Sequence, residues 1–89
     1  MQKFSLGQCV VTKAALFELE KASITPLELI GRHVRLDPGV LDADDRAANA
    51  RALIVGLRVF SAYVYDGEKY YVITEHDRSV TTVLLASDY

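Results

Sequence analysis

The sequence predicts an α+β fold in which three helices pack on one face of a small antiparallel sheet, in the order β-α-α-α-β-β-β. Residues 58–85 form a nearly continuous stretch of Val, Ile, Tyr, Phe and Thr, the residues that strands favour. The pair Asp66-Gly67 divides this stretch. Asp-Gly between two strand sequences indicates a tight hairpin, because a type I′ turn needs positive φ at both central residues. Residues 12–57 instead show apolar positions at helical spacing, so helices precede a three-stranded meander.

The first two elements are a short strand and a helix. Residues 7–12 (GQCVVT) predict the strand, and Thr12 is expected to cap a helix that begins at Lys13. The buried side of this helix is predicted to consist of Leu16, Leu19, Ala15 and Ala22. Phe17 lies off that stripe, so its ring is expected on the outer side.

The second helix has the clearest start signal in the chain. Thr25, Pro26 and Glu28 match a capping box with proline at the first helical position, which predicts a helix from Pro26 to about Arg35. Its predicted apolar stripe is Leu27, Ile30 and Val34, with Leu29 and His33 beside it. Asp37-Pro38-Gly39 then breaks the chain.

The third helix is predicted to begin after a capping Asp42, with Asp44 and Asp45 placing negative charge at the positive end of the helix dipole. Its predicted buried stripe is Ala47, Ala50, Leu53, Ile54 and Leu57. Gly56 marks its end. The acidic residues around its start have no calcium-loop spacing, so no metal site is predicted there.

The hairpin register divides the strand side chains between two faces, because strand residues alternate. With Asp66-Gly67 as the turn, Arg58 faces Glu75, and the apolar face is predicted to be the core side under the helices. That face carries Phe60, Ala62, Val64, Tyr71 and Ile73, with Lys69 at one end. The other face carries Ser61, Tyr63, Tyr65, Tyr70 and Thr74. This hydroxyl face is interpreted as a binding surface, since tyrosine is enriched at interfaces, or else as the solvated side of the sheet or a homodimer contact.

Length and composition indicate a single small domain over residues 1–89, with 51% hydrophobic and 25% charged residues. A chain this short buries only about 60 to 65% of its unfolded surface, so a partner or a second copy would add stability, and a homodimer stays open. No stretch approaches the roughly 18 apolar residues of a membrane span. The start also lacks a basic region followed by an apolar run. A cytoplasmic protein is therefore expected.

Charge and cysteine content exclude several kinds of site. The net charge is −2 and the pI is about 5.6, which disfavours general affinity for nucleic-acid backbones. Cys9 is the only cysteine, so the chain has no internal disulfide and no cysteine-based zinc site. No cofactor is predicted.

One group of residues is compatible with catalysis: His33, Arg58, Glu75, His76 and Arg78. A histidine, a carboxylate and arginines at one end of a sheet are what metal-independent ribonucleases use as acid, base and phosphate clamp. The structural alternative is that Arg58 and Glu75 form a cross-strand ion pair and that His33 is a half-buried helix residue. Whether the protein is an enzyme is therefore left open.

A pattern that covers nearly the whole chain consists of His33-Val34, Asp37, Gly39, Asp45, Asn49, Gly56, Arg58, Ser61-Ala62-Tyr63, Ile73-Thr74-Glu75, Asp77-Arg78-Ser79, Thr81-Thr82, Leu84-Leu85 and Tyr89. This pattern resembles a group of short proteins carried by bacterial plasmids and integrative elements, the plasmid-related proteins, and its Ile-Thr-Glu, Asp-Arg-Ser and Thr-Thr run is the most specific part. The chain departs from the group at residues 36–39, where Leu-Asp-Pro-Gly replaces Gly-Asp-Trp-Gly, at Tyr71, which replaces a tryptophan, and at Ala86, which replaces a proline. The resemblance implies a mobile element in a bacterial cytoplasm and carries no activity with it.

Three functional hypotheses follow. The first is an accessory protein of a mobile genetic element that binds a host protein or complex, for example an anti-CRISPR or anti-restriction inhibitor. The second is a small ribonuclease of the toxin kind, which the acidic pI disfavours because such enzymes attract RNA with positive charge. The third is a structural or regulatory subunit without a separate activity.

Overall fold

The computed structural model describes residues 4–89, apart from the side chains of residues 54 and 55. Its elements are β1 (Gln8–Val11), α1 (Lys13–Lys21), α2 (Pro26–Val34), α3 (Ala43–Val55), β2 (Val59–Tyr65), β3 (Glu68–Thr74), β4 (Val80–Leu85) and a 3₁₀ turn (Ala86–Asp88). The predicted α+β class and element order are confirmed. Within the described residues, no helix has the length and apolar character needed to cross a membrane.

The four strands form one mixed sheet in the order β1-β4-β3-β2. Strands β2, β3 and β4 are antiparallel neighbours as predicted, whereas β1 joins the edge parallel to β4, so the sheet is mixed rather than antiparallel throughout. The β2–β3 register is the predicted one, from Val59 opposite Thr74 to Tyr65 opposite Glu68. Asp66 has φ 52° and Gly67 has φ 80°, as a tight turn with two left-handed residues requires.

Helices α1 and α2 cover the face opposite to the predicted one, although Ala62 and Ile73 of the predicted core face are also buried. Helices α1 and α2 cover the hydroxyl face, where Tyr63, Tyr70 and Val72 pack with Leu19 and Leu29 in the core. The predicted binding residues on this face are buried, except for the half-buried Tyr65: Ser61, Tyr63, Tyr70 and Thr74. Hydroxyl groups did not mark a solvated face here, because the folded chain supplies Ser61, Tyr63 and Thr74 with hydrogen-bond partners, whereas the Tyr70 hydroxyl is buried without one. The interpretation of this face as an accessible surface was therefore wrong.

The opposite side of the sheet is called the open face here and is defined by Phe60, Val64, Tyr71, Ile73, Thr82 and Leu84, which the strand registers place together. The end of the chain folds back onto it. The Tyr89 ring lies 5.5 Å from the rings of both Phe60 and Tyr71 in edge-on contacts. Val64 is 49% exposed, so part of this apolar face remains in contact with solvent.

The helix ends follow most of the predicted signals. The Thr12 hydroxyl accepts a hydrogen bond from the Ala15 amide at 3.2 Å, and Asp42 caps α3 in the same way. Gly56 ends α3 in the left-handed conformation, with φ 75°. The predicted capping box of α2 is wrong, because the side chain of Thr25 makes no cap hydrogen bond, although the helix does start at the following proline.

The buried stripes of α1 and α2 differ in part from the predicted ones. In α1, Ala15 and Leu19 are buried and Phe17 is exposed as predicted, but Leu16 is exposed. The buried side chains of α2 are Leu29, Ile30 and His33. Leu27 was predicted inside but is 75% exposed. Helix α2 is rotated about its own axis relative to the predicted orientation, because His33 forms hydrogen bonds with the sheet.

The predicted stripe of α3 is wrong: Ala47, Ala50 and Leu57 are exposed. The predicted Ile54 side chain lies outside the described residues. The helix instead turns Ala52, which is 1% exposed, and the half-buried Asn49 toward β2. A polar side chain therefore anchors this helix to the sheet, and part of its apolar stripe faces outward.

Candidate functional site

The five residues of the ribonuclease hypothesis lie on different sides of the sheet. His33 is 0% exposed and bonds to strand residues of the hydroxyl face, beneath α2. Arg58 lies with Phe60 and Tyr71 around a cleft on the open face, and it meets Glu75 there. The sheet therefore separates the histidine from the cross-strand pair, and the geometry does not bring these residues together into one catalytic centre.

The predicted contact between Arg58 and Glu75 is present, with 3.5 Å between Nε and Oε1. It lies on the open face rather than under the helices, because the helices cover the other face of the sheet. Both side chains are more than 40% exposed, so the pair contributes about 0 to 1 kcal/mol. Arg58 also donates to the Tyr89 hydroxyl at 3.3 Å, which helps to hold the chain end on the sheet.

The guanidinium of Arg78 is occupied by main-chain carbonyl groups. It donates to Leu57 at 2.6 Å, to Ala52 at 3.2 Å and to Glu75 at 3.2 Å. These bonds tie the β3–β4 loop to the end of α3 and to Leu57, just before β2. His76 is exposed in the same loop. The arrangement gives Arg78 a structural role in joining two segments.

His33 is the centre of a buried hydrogen-bond chain that spans the sheet. Its Nδ1 lies 2.7 Å from the Ser61 hydroxyl and its Nε2 lies 2.9 Å from the Thr74 hydroxyl. Thr74 in turn lies 2.7 Å from Thr81, and Thr81 donates to the Leu6 carbonyl at 2.7 Å. The chain therefore joins α2, β2, β3, β4 and the segment before β1.

The Leu6 carbonyl, the last acceptor, determines which group donates in each hydrogen bond of this series. A carbonyl oxygen only accepts, so Thr81 donates to Leu6 and must accept from Thr74. The Thr74 oxygen then accepts from Nε2–H of His33, and the unprotonated Nδ1 accepts from Ser61. Burial lowers the pKa of His33 to about 4, so the ring is neutral at pH 7, as this order requires.

Arg32 forms a second cluster that the sequence analysis missed. Its Nε donates to Asp37 at 2.6 Å, a further nitrogen donates to the Tyr65 hydroxyl at 3.0 Å, and its guanidinium lies 4.2 Å from the Tyr63 ring centre. The hydrogen bond from Arg32 lowers the pKa of Asp37. Tyr63 donates to the Asp37 main-chain carbonyl at 2.6 Å, and burial raises the pKa of this tyrosine to about 12. The cluster fastens the end of α2 to β2.

Two sets of hydrogen bonds cover the free edge of β2. The Asn49 side chain accepts from the Phe60 amide at 2.8 Å and donates to the Phe60 carbonyl, so it imitates a neighbouring strand. Two residues further on, Ala62 bonds to Pro38 and Val40 of the segment between α2 and α3. Covered edges prevent pairing with other chains.

A concave cleft of about 460 Å³ lies between α3 and the open face. Its lining consists of Val40, Leu41, Asp42, Asp45, Ala48, Asn49, Arg58, Phe60, Lys69 and Tyr71. The α3 side contributes Asp42 and Asp45, whereas the sheet side contributes Arg58 and Lys69 beside aromatic rings. This volume is in the range typical of binding pockets. The alternation along β2 and β3 predicted that the sheet residues share a face, but no local signal indicated that α3 would lie opposite them.

The described residues, 4–89, contain no group of three or more His, Cys, Asp or Glu side chains that could hold a metal ion. Comparison of the chain with protein families, with curated proteins and with solved structures finds no match. The interpretation of the cleft therefore rests on its own geometry.

Proposed function

We propose that the chain is a small protein-binding accessory protein and that the cleft between α3 and the open face is its contact site. The observation that supports this proposal is the combination of charges around aromatic rings. Phe60 and Tyr71 provide an apolar surface, with carboxylates on the α3 side and Arg58 and Lys69 on the sheet side. Tyrosine, phenylalanine and arginine are enriched where proteins contact each other.

The charges favour a protein segment over a nucleic acid as the partner. A phosphate chain that followed Arg58 and Lys69 would run beside Asp42 and Asp45, which repel it. A peptide segment can place an apolar side chain on the rings, an acidic group near Lys69 and a basic group near the two aspartates. The net charge of −2 agrees with this choice, because it supplies no general attraction for phosphates.

The resemblance to plasmid-related proteins gives this binding function a setting. We propose that the partner is a host protein or complex of a bacterium, and that binding blocks a defence system directed at a mobile element, such as restriction or CRISPR interference. In this role the chain needs no chemistry of its own, since an inhibitor acts by occupying a surface.

The proposal is tested by measuring plasmid transformation and phage plating in strains that carry single restriction or CRISPR systems, with and without the protein. Expression is expected to protect incoming DNA from at least one system. A component of that system should then bind the purified protein in isothermal titration calorimetry. Protection and binding are expected to fall together in Lys69→Glu and Val64→Asp, which change exposed residues at the cleft and on the open face.

Leu27→Asp is the matched control. It places the same carboxylate on an exposed apolar residue of α2, which packs on the other face of the sheet. It should leave protection and binding unchanged, and thermal melts should show all three variants folded. Absence of protection against every system, or equal loss in Leu27→Asp, would reject the proposal.

A further inference from the structure

The outer surface of α3 carries apolar residues where a surface helix normally carries polar ones. Ala47 and Ala50 are exposed in the helix, and Leu57, just beyond its end, is 53% exposed. A surface helix usually directs such a stripe toward the core. Here the opposite side of α3, with Asn49 and Ala52, faces β2, so the stripe is left for a contact outside the chain.

A groove of about 390 Å³ runs beside this stripe. It is lined by Leu36, Pro38, Arg46, Asn49, Ala50 and Leu53. Alanines on the helix surface let a second helix approach closely, and the neighbouring groove can receive larger side chains from it. The shape therefore fits a helix as the occupant.

The charges beside the stripe identify which helix fits. Asp44 and Arg51 are seven residues apart, two helical turns, so they lie on the same flank of the stripe. A twofold axis perpendicular to a helix pairs it with its own copy in antiparallel orientation, and the same flank of each copy then meets in reverse order. Asp44 of one copy faces Arg51 of the other, and the pair occurs twice. Neither residue belongs to an ion pair formed within the described part of the chain.

We propose that α3 packs antiparallel against α3 of a second copy, with the twofold axis next to Ala47. The midpoint between Asp44 and Arg51 lies between residues 47 and 48. The contact is independent of the proposed binding function, because the cleft residues Asp45 and Ala48 lie on the side of the helix that faces the sheet and do not line the groove, while Asn49 lines both. A helix of 13 residues is about 20 Å long, so the contact is smaller than a standard interface and a reversible dimer is expected.

Sedimentation equilibrium of the full chain over a wide concentration range tests the proposal. Wild type is expected to be a monomer–dimer equilibrium. Ala50→Glu should weaken dimerisation at least tenfold, because it places two like charges at the helix contact, whereas Leu27→Glu on exposed α2 should not weaken it. Asp44→Arg and Arg51→Asp should each weaken the dimer, and the double variant should restore it to within about threefold of wild type.

Cross-linking locates the axis independently. In a Cys9→Ser background, Ala47→Cys is expected to form a disulfide-linked dimer under mild oxidation, whereas Leu57→Cys, far from the axis, should not. Circular dichroism melts confirm that each variant is folded. A chain that is monomeric at all concentrations would overturn the proposal, as would a dimer that Ala50→Glu leaves unchanged or that cross-links through residue 57 instead of residue 47.

Discussion

Acidification from pH 6.5 to pH 4 is expected to lower the free energy of unfolding by about 3 kcal/mol through His33. In the folded chain, burial lowers the pKa of this histidine from 6.5 to about 4. Between these two values the unfolded chain binds a proton that the folded chain does not, so stability falls as the pH falls. Each pKa unit corresponds to about 1.4 kcal/mol, and the side chain is fully buried, so little of this effect is screened by solvent.

Protonation of His33 also disrupts the hydrogen bonds that this residue forms. A proton on Nδ1 would turn the acceptor for the Ser61 hydroxyl into a donor, so this bond would have to reverse. The hydrogen bond from Arg32 lowers the pKa of Asp37 and keeps its carboxylate ionised to lower pH. Asp37 therefore changes the stability of the fold only below the pH at which aspartate usually titrates. The window between pH 4 and pH 6.5 therefore reports His33.

The assay is urea unfolding at half-unit steps from pH 4 to pH 8, with an NMR titration of the two histidines. His33→Gln, which cannot titrate, should abolish the slope between pH 4 and pH 6.5. It should also cost about 1 to 3 kcal/mol at pH 7, because the buried Ser61 hydroxyl loses its partner, whereas Thr74 keeps its hydrogen bond to Thr81.

The matched control is His76→Gln, which removes an exposed histidine and should leave the slope unchanged. In wild type, NMR should show the His33 ring protonated on Nε2 and not on Nδ1 at pH 7. A flat stability profile between pH 4 and pH 6.5, or a His33 pKa near 6.5, would show that burial does not lower the pKa of His33. These wild-type measurements decide the matter even if His33→Gln does not fold.

Three further changes test the fold. Thr12→Ala should cost about 1 kcal/mol in urea unfolding because it removes a helix cap, whereas Thr25→Ala should cost roughly 0.5 kcal/mol or less because its hydroxyl caps nothing. Gly39→Ala should prevent folding, since its Cβ would collide with the main chain of β2, while Gly67→Ala, with the same sign of φ but open space, should cost only about 1 to 2 kcal/mol. Asn49→Ala should cost about 2 to 4 kcal/mol and increase aggregation in light scattering, because it uncovers the main chain of an edge strand. The opposite order within either pair, or an Asn49→Ala protein as stable as wild type, would contradict the assigned contacts.

Only the sheet side of the candidate cleft could be predicted from the sequence. Alternation along β2 and β3 placed Arg58, Phe60, Lys69 and Tyr71 on one face, and the structure confirms that they share it. The side of the cleft formed by α3 could not be predicted, because Asp42 looked only like a helix cap. Asp42 also lines the cleft because α3 lies beside β2, and that position depends on contacts between residues that are distant in sequence.

The elements that the sequence determined by itself depend on residues close together in the chain. The Asp66-Gly67 turn set the hairpin register, Thr12 and Asp42 capped their helices, and Gly56 ended α3, because each of these signals acts over four residues or fewer. Such local geometry is specified before any tertiary contact forms.

Only the tertiary structure decided which side of the sheet became the core. Alternation produces two faces, and both faces of this hairpin contain enough apolar surface to be buried. The buried face includes Ser61 and Thr74, whose hydrogen-bond partner His33 is 28 and 41 residues away in the sequence. Burying a hydroxyl group costs little when a buried partner bonds to it, and whether such a partner exists is a property of the assembled helices and strands rather than of any segment.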